Sequence, residues 1–255
     1  MIANYHTHTW RCGHAAGTEE EYVLNAISRD LKILGFSDHT PYLFPGDYYS
    51  HFRMKPEQLA DYTRTVLDLS SRYADKIEIH LGVEAEYYPA FFPETLQMLK
   101  DGGVEYMLLA MHFIDNEIGA AYSGKPTDDE SLLRRYCHQA MEAMETGMFT
   151  YFAHPDLFRF TGEDQIYQKH IREMCRKATE CNVPLEINLL GVNENRHYPR
   201  AFFWDIAAEE GCSAVIGMDA HKPEAILDFP SEERALKLAE ERGLKVLETV
   251  QLRQI

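Results

Sequence analysis

The chain has 255 residues, 45% of them hydrophobic and 26% charged, with 41 acidic side chains against 25 basic ones and a formal charge of −16 at pH 7. That length and composition suit one large globular domain over residues 1–255 and do not demand a second. They speak against nucleic acid as a partner, because no cluster of Lys and Arg is present to neutralise phosphates, and against a membrane one, because no apolar run approaches the roughly 18 residues of a span.

Read in chain order, the sequence alternates short apolar runs with helical stretches. Residues 2–8 read as a strand, which would turn His6 and His8 to the same side; His14 follows beyond a turn marked by Gly13. Thr18 and Glu21 have the spacing of a capping box at the start of a helix. Ile33–His39 is a strand closing on Asp38-His39, and the aromatic loop Tyr42–Phe52 is a candidate cover for a substrate or a structural flap. From Met54 to Asp75, Leu59, Tyr62, Val66, Leu69 and Tyr73 recur every three or four residues, one face of an amphipathic helix. In Lys76–Glu84, Ile77, Ile79, Leu81 and Val83 share one strand face, and Glu78, His80, Gly82 and Glu84 the other. Tyr106–Phe113 is a strand carrying His112 at its end, and Ser131 to Gly147 repeats the helical pattern. Further strands run over Thr150–His154, Pro184–Leu190 and Ser213–His221, with helices from Pro199 to near Gly211 and from near Ser231. The strand-like stretch Leu244–Leu252 carries no candidate ligand.

This alternation predicts an α/β fold with a mostly parallel sheet. Candidate ligands stand at the ends of nearly every strand. A β/α barrel gathers such residues on its C-terminal face, whereas a doubly wound sheet focuses them at one switch point, so the barrel is preferred. The ligand candidates are His6, His8, His14, Asp38-His39, Glu84, His112, His154 and Asp219 with His221. Imidazole and carboxylate together suit zinc, iron or manganese. Any one of these elements alone is an ordinary strand end; their recurrence at successive strand ends points to a metal site. His51, His138 and His170 read as solvated, His80 as a satisfied core histidine, and His197 as a residue at the site mouth. Cys12, Cys137, Cys175, Cys181 and Cys212 are odd in number and scattered, which reads as reduced thiols of a cytoplasmic protein. No secretory signal is expected ahead of His6.

The ordered set H-T-H (His6–His8), His14, S-D-H (Ser37–His39), G-V-E (Gly82–Glu84), M-H (Met111-His112), A-H-P-D (Ala153–Asp156) and G-M-D-A-H (Gly217–His221) resembles the polymerase-and-histidinol-phosphatase (PHP) superfamily over essentially the whole chain. Cys12–Ala15 with Gly17–Glu20, Ala153–Asp156 and Glu186–Asn188 look most like its histidinol-phosphatase branch. The resemblance implies a distorted seven-stranded β/α (TIM-like) barrel and two to three divalent transition-metal ions (zinc, manganese or iron). Carried over, His6, His8, Glu84 and Asp219 would hold one ion. Glu84 would bridge to a second with His112 and His154, and His14, His39 and His221 would hold the third. Asp38 would orient a ligand. Met218 departs from the small residue usual before D-A-H, with an expected effect on packing or pocket shape rather than on metal binding.

The activity so implied is hydrolysis of a small phosphate monoester, foremost L-histidinol phosphate, by a metal-activated hydroxide, with Glu84 and Asp219 in the catalytic set. A dianionic substrate needs local positive charge, and arginine offers two parallel N–H groups. Arg159 is the first candidate for the phosphoryl group, Arg196 the second, with His197 beside them. The rivals are a phosphoesterase acting on another small phosphate or a nucleotide and, from a different class, a metal-binding regulatory module without turnover.

Overall fold

The computed structural model describes residues 1–255. Eight strands alternate with helices: β1 (Ala3–Asn4), α1 (Glu19–Ser28), β2 (Ile33–His39), α2 (Leu59–Arg72), β3 (Glu78–Glu86), α3 (Phe92–Asp101), β4 (Tyr106–Ala110), α4 (Glu130–Glu145), β5 (Phe149–Phe152), α5 (Asp164–Glu180), β6 (Leu185–Asn188), α6 (Leu189–Asn193), α7 (Ala201–Glu209), β7 (Ser213–Gly217), α8 (Phe229–Glu241) and β8 (Lys245–Val246). The strands pair in sequence order, every pair parallel. The sheet curls until the chain beyond β1 meets the chain beyond β7, where Thr7 bridges to Ala220 and the His8 amide donates to the Ala220 carbonyl at 2.9 Å. The strand count is eight, not seven. After α8 the chain turns back and β8 pairs with the first residues of β7, because Leu247, Val250 and Leu252 have the interior of the curled sheet to bury against.

Strand alternation builds two apolar layers. One side of each strand faces the helices, where Leu34, Phe36, Leu81, Val83, Met107 and Leu109 meet Tyr22, Tyr62, Val66 and Tyr136. The other side faces inward, where Ala3, Tyr5, Tyr106, Leu108, Tyr151, Ala153 and Val215 form a smaller core. Tyr106 occupies the space left by two strand glycines: a Cβ on Gly35 would stand 2.2 Å from its hydroxyl oxygen, and one on Gly82 2.2 Å from its ring. Each glycine costs roughly 0.5–1 kcal/mol relative to alanine. Burying a large aromatic ring contributes roughly 1.5–3 kcal/mol, so the exchange is close to balanced on area alone. The Tyr106 hydroxyl tips it by donating to the Tyr5 carbonyl at 2.8 Å, with the Phe36 carbonyl also near at 3.2 Å. Glu84, two residues beyond Gly82, therefore stands one pleat above a filled floor.

The expected capping box closes α1: the Thr18 amide donates to Glu21 at 2.6 Å and the Glu21 amide to the Thr18 hydroxyl at 3.4 Å. α3, α5 and α6 are helices that the reading in chain order does not name, and α6 takes Leu189 and Leu190 out of the strand expected over Pro184–Leu190, with Asn188 capping the new helix through its side chain. α5 buries Tyr167, His170, Ile171, Met174, Cys175 and Ala178, so His170 is not solvated; its Nε2 lies 2.9 Å from Glu130. His80 is satisfied as expected, between Glu78 and Glu105 at 3.0 and 2.9 Å, but half-buried at the far end of β3 rather than in the core.

Candidate metal centre

All nine expected ligands converge at the C-terminal ends of the strands. The Nε2 atoms of His6 and His8 stand 3.1 Å apart. They lie 3.5 and 3.0 Å from Oδ1 of Asp219, and 3.5 and 3.6 Å from Oε1 and Oε2 of Glu84. On the other side of Glu84, Oε1 is 2.7 Å from Nε2 of His154 and 3.7 Å from that of His112. The Nε2 atoms of His14 and His221 approach to 2.9 Å, and His39 joins their group while its Nδ1 lies 2.9 Å from Oε2 of Glu84. His6, His8, His39, Glu84, His154 and Asp219 are buried; His112 and His221 are partly open and His14 is exposed.

The rings are aimed by their other nitrogens. Nδ1 of His6 lies 2.7 Å from Glu186, and Nδ1 of His112 lies 2.7 Å from Glu86. The Nδ1 atoms of His14 and His221 lie 3.1 and 3.0 Å from the carbonyls of Cys12 and Asp219, and that of His8 is 3.5 Å from Asp38. A ring that donates from Nδ1 presents a lone pair at Nε2. The Nε2 atoms of His6 and His8, 3.1 Å apart beside two carboxylates, call for a proton or a metal ion between them. Buried His8 Nδ1, His39 Nδ1, His154 Nδ1 and Glu84 Oε2 also lack hydrogen-bond partners; His39 Nδ1 and Glu84 Oε2 are close to each other but misaligned. A buried carboxylate oxygen so placed is costly without a cation. Donors bound at 2.0–2.1 Å around a tetrahedral ion lie about 3.3 Å apart, within the spread of separations seen here. The donor set fits metal ions.

Without a metal ion, charge and burial compete over the protonation of the site, and different histidines fall to different sides. Burial opposes charge on His6, yet Glu186, Asp219 and Glu84 hold its pKa well above the ordinary imidazole value. Burial is likewise outweighed at His8, where Asp219 and Asp38 lift the pKa to about 9. Burial wins at His39, which falls to about 3 despite Glu84, and it also lowers His14 and His221, beside His8. The surrounding histidines overcome burial to keep Glu84 and Asp219 well below the usual carboxylate range, and Arg53 with His112 does so for Glu86, at about 2. The backbone is also specialised: His154 and Asp219 both adopt left-handed conformations, φ 33° and 50°. The His154 turn is held by its amide donating to Glu186 at 3.0 Å, and Asp219 by Asn188 at 3.1 Å.

Glu186 and Glu86 are the functional residues that sequence reasoning missed as chemistry. Glu186 reaches the His6 ring, the His154 amide, Asn188 and Tyr151, and a Cβ on Gly217 would collide with it at 1.7 Å. The one available signal is spacing: Glu86 lies two residues after Glu84, and Glu186 two before Asn188, each on the same strand face as its partner.

Above the centre is a cavity of about 450 Å³, walled by Phe52, Phe113 and Tyr122 among others, and by Leu190, Arg196, Tyr198 and Lys222. The Tyr42–Phe52 loop thus divides: Tyr42 is buried with its hydroxyl on the Glu86 carbonyl, while Phe52 and His51, exposed as expected, line the cavity. Arg159 does not line it. Its side chain is exposed, and Arg196, the second candidate, takes the wall position instead. His197 is also outside the wall, its Nε2 turned 2.7 Å from the Leu157 carbonyl and its pKa lowered by burial. Lys222, which the sequence reading did not single out, lines the cavity next to His221. Cys12 is buried with its thiol within reach of His8 and His221, and burial pushes its pKa up, as expected of a packing residue.

Comparison with known proteins gives one family and one fold. The PHP domain model matches residues 4–189. The chain is 30% identical over 233 residues to a probable histidinol-phosphatase of Deinococcus radiodurans, covering 87% of each. It is 24% identical over 256 residues to a probable histidinol-phosphatase of Schizosaccharomyces pombe, covering 89% of this chain and 82% of that one. Its fold resembles the crystal structure of histidinol phosphate phosphatase from Lactococcus lactis complexed with zinc, L-histidinol and phosphate, with TM-score 0.76, 21% identity, and coverage of 98% and 97% of the two chains.

Proposed function

Because this chain belongs to the PHP domain family, we propose that it is a metal-dependent phosphoric monoester hydrolase that converts L-histidinol phosphate to L-histidinol. The whole chain acts as one PHP-type phosphoesterase domain. The observation that carries the reading is the convergence of seven imidazoles on Glu84 and Asp219 with their free nitrogens facing one another. The relatives' names supply the substrate.

Two to three divalent ions would be held by His6, His8, Glu84 and Asp219, by Glu84, His112 and His154, and by His14, His39 and His221. Zinc is the first choice, being the metal of the Lactococcus lactis enzyme's complex. When bound, such ions supply Lewis-acid charge and a water that ionises near neutral pH. The chain's own residues do the rest. Glu186 and Glu86 hold His6 and His112 in one orientation. Arg196 and Lys222 offer the only cationic side chains on the cavity wall to the phosphoryl group, and Phe52, Phe113 and Tyr122 line the space open to the leaving alcohol.

The test is a panel of phosphate monoesters assayed with added zinc, manganese or iron. Histidinol phosphate should be turned over with the highest kcat/KM, and chelator should abolish it. A faster nucleotide or sugar phosphate would reassign the substrate, and no turnover of any member would favour the regulatory module.

Metal loading should also release protons. Below pH 9 the metal-free His8 carries a proton that a bound ion displaces, so apparent affinity rises with pH, by about tenfold per unit for each proton displaced, and the share due to His8 ends above about 9. Calorimetric titration at pH 7 in buffers of different ionisation enthalpy should report at least one proton released per chain. Heats that do not change with the buffer would remove His8 from the ligand set.

A further inference from the structure

Arg53, outside the ligand set, is fully buried, and every N–H of its guanidinium is engaged. Nη1 and Nη2 donate in parallel to Glu86 at 2.8 and 2.7 Å. Nε donates to Glu117 at 2.8 Å, Nη2 lies 2.6 Å from the same oxygen, and Nη1 reaches the Thr40 carbonyl at 3.3 Å. Its Cζ lies over the rings of Tyr42 and Phe52, 5.0 and 4.7 Å from their centroids.

These contacts join three parts of the site. Glu86, at the end of β3, lies 2.7 Å from Nδ1 of His112. Glu117 belongs to the loop after β4, which also carries the cavity-lining Phe113 and Tyr122. Arg53 itself ends the loop that carries His51 and Phe52 into the cavity, where Phe52 stacks on Phe113 at 5.8 Å and meets the His39 ring edge-on at 5.7 Å. With both Glu86 oxygens gripped by one guanidinium, the carboxylate has a single orientation to offer His112, as acceptor from Nδ1–H.

We infer that Arg53 is a positioning residue: by clamping Glu86 and Glu117 it fixes His112 as the Nδ1–H tautomer, with Nε2 open to a metal ion, and pins the two cavity loops in one arrangement. The inference rests on the metal-dependent reading above. A lysine at this position keeps the charge but cannot make the two parallel bonds or bridge both carboxylates.

The experiment compares wild type with Arg53→Lys and Glu86→Gln by competition of Zn²⁺ against a chromogenic chelator, with circular dichroism as the check on folding. Both variants should bind one equivalent of zinc ten- to a hundredfold more weakly, the range typical of losing a group that orients a metal-ligating histidine, and hold the others as wild type does. Folded variants with unchanged affinity in every equivalent would overturn the proposal, and so would equal weakening of all equivalents. Should the variants not fold, the wild-type protein still decides. In metal-free protein with 15N-labelled histidine, the His112 signals, assigned by their loss in His112→Asn, should report a proton on Nδ1; a proton on Nε2 alone overturns the assignment. That spectrum needs neither metal nor substrate, so wild-type protein that binds no zinc would sink the proposed function while leaving this inference decided on its own evidence.

Discussion

Glu84→Gln is expected to lower kcat by two to three decades and to strip more than one metal ion per chain. Five imidazoles face this one carboxylate: His154 at 2.7 Å, His39 at 2.9 Å, His6 at 3.5 Å, His8 at 3.6 Å and His112 at 3.7 Å. Glutamine preserves the volume, so packing over Tyr106 should survive. It removes the negative charge and puts an NH₂ group, which cannot be a ligand, where one oxygen stood. Removing one preorganised group that stabilises charge in an active site typically costs about 2.7–4 kcal/mol of barrier, which is two to three decades in rate at about 1.4 kcal/mol per decade. His14→Ala is the comparison: His14 is exposed, its Nε2 stands 2.9 Å from that of His221, and its loss should weaken one ion and cost less activity. Both variants should be assayed over a range of added zinc with bound metal measured in parallel. Wild-type kcat in Glu84→Gln at full metal loading would remove Glu84 from the bridging role proposed for it.

What could be read from the sequence divides along a physical line. Alternation in β3 placed Glu84 on the face away from Ile79, Leu81 and Val83, and that face is the interior. Local patterns of this kind carry across to the fold because a strand has only two sides. α5 was missed although its buried residues keep the three-and-four spacing, because His170 fills one of those positions and does not count as apolar in a pattern. β8 is only two residues long, and its pairing with β7 depends on where the chain returns after α8, which no local pattern encodes. Glu186 and Glu86 looked like any acid on a strand. Their role depends on the distance to a ring nitrogen contributed by another strand, more than a hundred residues away for His6 and Glu186. Met218, flagged as a departure, is buried in the apolar layer with the helix-facing residues, consistent with the packing role expected of it.

The two arginines show the same line. Both stand on loops beyond strands that supply site residues, and sequence distance from His154 favoured Arg159. Direction is set by the chain around them, and it is Arg196 that faces the cavity. Its Nε donates to Glu194 at 2.8 Å, Nη2 lies 2.7 Å from the same oxygen, and Nη1 donates to the Tyr198 hydroxyl at 2.7 Å. Each terminal nitrogen carries two N–H groups, so one on each is left for a ligand. Glu194 and Tyr198 thus hold the guanidinium without exhausting it. Arg196→Ala is expected to lower kcat/KM on histidinol phosphate by about thirty- to a hundredfold, the equivalent of roughly 2–3 kcal/mol for a charge-assisted contact in a partly closed site. Metal content should not change, because no ligand touches the side chain. If the contact tightens as charge builds on the phosphoryl oxygens, kcat should fall along with kcat/KM, whereas a rise in KM alone would mean that Arg196 binds substrate and transition state equally. Lysine should recover only part of the loss, since a point charge cannot supply two parallel N–H groups. Arg159→Ala, measured beside it, should stay within about threefold of wild type, less than 1 kcal/mol. Inhibition by inorganic phosphate separates the two arginines without turnover: it should weaken in Arg196→Ala and persist in Arg159→Ala. The reverse pattern would restore Arg159 as the phosphoryl ligand and return Arg196 to its ion pair with Glu194.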